Sequence, residues 1–85
     1  MHDKLKPLIL KSIREVSNSR LSDERLSQIN LFHYGVLDSL MIMHLIIHFE
    51  EEFDIEILSP HYDFSTFESV GRIENLIVSL TKKRE

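Results

Sequence analysis

Gly35-Val36-Leu37-Asp38-Ser39-Leu40-Met41-Ile42-Met43-His44-Leu45-Ile46-Ile47-His48-Phe49-Glu50-Glu51-Glu52-Phe53 is the longest run in the chain with one sustained period. Ile42, Leu45, Ile46, Phe49 and Phe53 fall at i, i+3, i+4, i+7 and i+11, which lines one side of an α-helix and not of a strand. The segment therefore reads as a helix from about Ser39 to Phe53, with Asp38 placed to cap it and Gly35 supplying a positive-φ turn ahead of it. The same helix has a second side. Leu40, His44, Ile47 and Glu51 also follow helical spacing, and Met41 and Met43 leave the segment apolar almost all round as far as Phe49. A chain of 85 residues has too little interior to bury both sides, so the second is expected to meet a partner, with Met43 the better candidate for filling core gaps.

Upstream, residues 19–37 are polar and irregular, with Leu21, Leu26, Ile29, Leu31 and Phe32 as scattered anchors. So long a connection in a small domain is functional or hides a short helical turn. Before it, Leu5, Leu8, Ile9, Ile13 and Val16 predict an amphipathic helix from Asp3 to about Asn18, with Asp3 as cap and Pro7 in the first turn, where its missing N–H costs nothing. Downstream, Ile55, Ile57 and Leu58 pin a loop with space for one helical turn up to Asp63. Ser65-Thr66-Phe67-Glu68 matches a capping box and predicts a last helix whose inner stripe is Phe67, Val70, Ile73, Ile77 and Leu80. Gly71 weakens that helix by roughly 1 kcal/mol against Ala, which close packing on a neighbour would explain. Lys82, Lys83 and Arg84 suit the negative end of its dipole. The expectation is an all-α bundle of three main helices with room for a short fourth, a long first loop, and one domain over residues 1–85.

Charge is unevenly spread. No Lys or Arg stands between Arg25 and Arg72, while that stretch holds Asp38, Glu50, Glu51, Glu52, Asp54, Glu56, Asp63 and Glu68. The net charge of −4 is thus an acidic middle of −8 set against ends that together carry +4. Such a middle repels phosphate backbones and attracts basic surfaces, which argues against nucleic acid as a partner. The run Leu8-Ile9-Leu10 is broken at once by Lys11, so neither a signal peptide nor membrane insertion is expected, and a cytoplasmic monomer is the default. With no cysteine, disulfides and thiolate metal sites are excluded.

Gly35-Val36-Leu37-Asp38-Ser39-Leu40, followed by a helix ending Phe49-Glu50-Glu51-Glu52-Phe53-Asp54-Ile55-Glu56-Ile57, closely resembles the acyl carrier protein family. The helix pattern, the long first loop and the late capped helix agree as well, so the resemblance spans nearly the whole chain. It implies that Ser39 carries a covalent 4′-phosphopantetheine, that Asp38 and Leu40 belong to the site read by a phosphopantetheinyl transferase, and that Met41, His44, Ile47 and Glu51 contact catalytic partners. Those partners would be an acyl- or aminoacyl-activating enzyme and downstream transferases, with the chain itself non-catalytic. The Gly-x-Leu-Asp-Ser wording is closer to stand-alone aminoacyl carriers, such as the D-alanyl carrier proteins, than to the Gly-Gly-Asp-Ser of peptidyl carriers. A fatty or polyketide cargo follows close behind. The chain departs from the family where Met41, His44 and His48 stand in place of acids or small residues, which points away from a generic fatty-acid role and toward a dedicated partner with an apolar patch.

Elementary electrostatics agrees with a modified Ser39. A serine opening a helix sets its hydroxyl near unpaired N–H groups, where a phosphodiester gains about 0.3–1 kcal/mol from the dipole. No Ser-His-Asp arrangement can be inferred, although His33 and His44 are near in number. His44 and His48 have the i, i+4 spacing of metal ligands, but only His61 or Glu51 offers a third donor, and no metal is expected. The competing reading of the whole pattern is an unmodified docking module of the same fold that works through its second-helix surface alone.

Overall fold

The computed structural model describes the backbone of residues 2–57 and 64–84, with side chains over 4–57 and 65–81. Four helices follow in order: α1 (His2–Ser17), α2 (Asp23–Gln28), α3 (Ser39–Phe53) and α4 (Val70–Arg84), with a short 3-10 turn over Phe64–Phe67. Among the described residues there is no strand. α1 packs against both α3 and α4, and α2 closes the bundle on the side of α1 and α4. The all-α expectation holds, and the long first connection does contain a short helix. The helical turn expected up to Asp63 falls outside the described residues.

The core is built from the periodic residues. Ile42, Leu45, Ile46 and Phe49 of α3 share one core with Ile9 and Ile13 of α1 and Val70, Ile73 and Ile77 of α4, all buried. On α1 the buried arc centres on Ile9 and Ile13, so Leu10 comes inside and Leu8, expected in the stripe, is left 38% exposed at its edge. Phe53 and Leu80, also expected inside, are half-buried and pack on the rim of the core. Fully buried Leu26 and Leu31 convert the irregular connection into part of the core. Its conformation is fixed by local hydrogen bonds. Ser22 caps α2, accepting from the Arg25 amide at 3.1 Å, and Arg14 pairs with Asp23 to tie α1 to the start of α2.

The starts of α1 and α4 differ from expectation, while α1 ends where expected. α1 begins at His2, so Asp3 lies inside the helix and Pro7 in its second turn, where it removes one i→i−4 bond. α1 ends on Asn18, which takes a left-handed φ of 59° and donates to Arg14 O at 2.7 Å. α4 does not start at Ser65. Residues 64–67 form the 3-10 turn, and Ser69 caps α4 instead, accepting from the Arg72 amide at 3.2 Å. The Ser-x-x-Glu pattern gives only a turn, because Phe67 is pulled into the core and the chain must bend after it. Gly71 is exposed, and a Cβ there would meet nothing within 4 Å, so close packing does not account for it.

Candidate functional site

The start of α3 is held from both sides. Gly35 takes φ 72°, the left-handed turn its sequence position called for. Ahead of it, the Asn30 side chain accepts from the amides of Phe32 and His33 at 2.9 and 3.0 Å. The Leu31 carbonyl accepts from both Val36 and Leu37, while the Leu31 amide donates to Glu68 O at 2.7 Å across the bundle. Val36 and Leu37 are then buried, and Ile42 is buried one turn later. Between those anchors Asp38, Ser39 and Leu40 face solvent. The backbone of this exposed triplet is therefore positioned by its buried neighbours.

Asp38 is the N-cap of α3, in extended conformation, and its Oδ1 accepts from the Met41 amide at 2.9 Å. Its carbonyl accepts from Ile42 N at 2.9 Å, the first bond of the helix. Of the four leading amides of α3, those of Met41 and Ile42 are thus satisfied, whereas Ser39 and Leu40 find no protein acceptor among the described residues. The Ser39 hydroxyl makes no hydrogen bond to the described residues either. Among the described residues no imidazole is bonded to it. What it offers is an exposed hydroxyl beside two free N–H donors at the positive end of a 15-residue helix.

On α3, Leu40 is 67% and Ile47 49% exposed, and His44 and Glu51 are exposed beside them. At about 100° per residue these four lie within roughly 60° of one another around the helix axis, one continuous strip. Met41, expected with them, lies about a quarter-turn away and is half-buried against the core, as is Met43. Among the described residues no group of three or more His, Asp or Glu side chains could hold a metal ion, and His61 lies outside them. One feature had no signal in sequence: Arg25 lies over the Tyr34 ring at 5.6 Å, joining α2 to the loop that leads into Ser39. Nine positions apart in an irregular segment, the two share no period that could have paired them.

A family model described as a phosphopantetheine attachment site matches residues 8–77, from the middle of α1 to the middle of α4. The chain belongs to that family. The matched span contains the whole of α3 and the Asp38-Ser39-Leu40 triplet, and the acyl-carrier resemblance is borne out. No curated protein matches the chain. Membership in a phosphopantetheine attachment family implies a phosphopantetheine prosthetic group and a carrier role in general, serving partner enzymes. No helix among the described residues is long and apolar enough to cross a membrane.

Proposed function

We propose that this phosphopantetheine-family protein carries its prosthetic arm on Ser39 and holds an acyl or aminoacyl cargo for partner enzymes. The observation that carries this reading is the exposed Ser39 hydroxyl, unbonded among the described residues, at the capped start of α3. The residues fit the group. The amides of Ser39 and Leu40, without an acceptor among the described residues, can donate to phosphodiester oxygens, and the helix dipole favours the added negative charge. When bound, the arm supplies a thiol for thioester attachment, which the cysteine-free chain does not itself provide. Attachment joins Ser39 Oγ to phosphorus and releases the adenosine bisphosphate half of coenzyme A, with the serine proton passing to a base of the transferase. Asp38 and Leu40 form the part read by that transferase. His44, Ile47 and Glu51 extend the contact along α3 for the activating enzyme and later transferases, with Met41 supporting the strip from its flank.

Incubation with coenzyme A and a broad-specificity phosphopantetheinyl transferase, followed by intact-mass measurement, tests the proposal. The expected result is a gain of one phosphopantetheine in the native chain and none in Ser39→Ala. A folded native chain that gains nothing belongs instead to the unmodified docking-module reading.

A further inference from the structure

We infer that the end of the bundle opposite Ser39 is a second docking site, where an apolar groove seats one leucine or phenylalanine of an acidic segment of a partner protein. The groove is lined by Leu5 and Leu8 of α1, Phe53 of α3, and Ile77 and Val78 of α4. Its volume is about 140 Å³, close to the roughly 150 Å³ of an apolar cavity that takes up benzene. A single large apolar side chain therefore fills it. Leu8 is 38% exposed, so the lining is open to a side chain arriving from outside. Phe53 is the last residue of α3 and Ser39 the first, which separates the groove from the hydroxyl by about 21 Å of helix. A partner seated there leaves Ser39 uncovered.

Charge decides the kind of partner. Two polar residues complete the lining, Lys4 and Thr81. The Thr81 hydroxyl is spent on its own helix, donating toward Ile77 O and Val78 O at 3.0 Å. The Lys4 ammonium pairs with no carboxylate among the described residues. It also stands near the start of α1, where the dipole is positive and disfavours a cation. No acid lines the groove, and Glu52 and Asp54, the sequence neighbours of Phe53, are not among its walls. Lys11 follows on the side of α1 that carries Lys4 and Leu8, and Lys82, Lys83 and Arg84 continue α4 directly after Thr81. The last three suit the dipole of α4 by themselves, but Lys4 gains nothing from that of α1. The two basic ends of the chain thus meet at one pole, around an apolar floor with no anion of its own. An acidic segment bearing one large apolar residue complements both features.

Fluorescence anisotropy with the labelled peptide Glu-Glu-Phe-Leu-Glu-Glu tests the site on the intact chain. That peptide should bind with a Kd below about 1 mM, and Lys-Lys-Phe-Leu-Lys-Lys and Glu-Glu-Ala-Ala-Glu-Glu should each bind at least roughly tenfold more weakly. Lys4→Glu and Leu8→Ser should each weaken the acidic peptide at least about threefold. Lys4 is exposed, so thermal unfolding of Lys4→Glu should stay near native. Phosphopantetheine loading should run at the native rate in both variants, and the loaded chain should bind the peptide as the apo chain does. Equal affinity for the three peptides, or an unchanged Kd in Lys4→Glu, overturns the inference. Retention on phosphatidylglycerol vesicles, or a dimer in sedimentation, that needs Lys4 and is not matched by peptide binding overturns it too, and assigns the groove to a lipid surface or a second copy. A native chain that gains no mass from the transferase removes the carrier reading and leaves this site standing.

Discussion

The start of α3 differs from the starts of α2 and α4 in one respect that matters. All three helices begin beside a serine. Ser22 and Ser69 stand at the cap position and spend their hydroxyls on the backbone, accepting from Arg25 and Arg72 at 3.1 and 3.2 Å. Ser39 stands one place later because Asp38 takes the cap, and its exposed hydroxyl bonds to none of the described residues. The same residue type in nearly the same position thus serves stability twice and is released from it once. A side chain with no structural duty at a helix start is available for chemistry, which is how the Asp-Ser order differs in consequence from a serine cap alone.

The sharpest way to break this contrast is to exchange the serines. Ser39→Ala should abolish loading entirely while moving stability by less than about 0.5 kcal/mol, measured by intact mass and urea unfolding. Asp38→Ala removes a charged cap and should cost about 1–2 kcal/mol in the same unfolding experiment. Ser69→Ala should cost about 1 kcal/mol and leave loading intact, the mirror image of Ser39→Ala. Gly35→Ala forces a side chain into φ 72° and should also cost about 1 kcal/mol, with a loss of loading rate if the turn positions the triplet. The smallest effect has the opposite sign. Gly71→Ala should stabilise by about 0.5–1 kcal/mol, because its helical site is exposed and empty around the missing Cβ.

The parts of this structure legible in sequence are those with a strong period or a defined cap. The span of α3 follows from five apolar residues and Asp38, and the left-handed Gly35 from its place before a helix. Short segments were harder. α2 has only six residues, too few to show a period, and its helical state depends on the Ser22 cap, the Arg14–Asp23 pair and the burial of Leu26. The start of α4 misled because two serines four positions apart could each cap it, and burial of Phe67 decided in favour of the later one. The exposed strip on α3 was visible as an excess of apolar residues. Only the packing assigns Met41 to the flank and Leu40 to the open face.

Fragmentation mass spectrometry of the loaded protein tests the central claim most directly, since Ser12, Ser22, Ser39, Ser65 and Ser69 all compete within one chain. The added phosphopantetheine should be found on the peptide containing Ser39 and nowhere else. A group recovered on Ser22 or Ser69, whose hydroxyls hold their helices, would contradict the account.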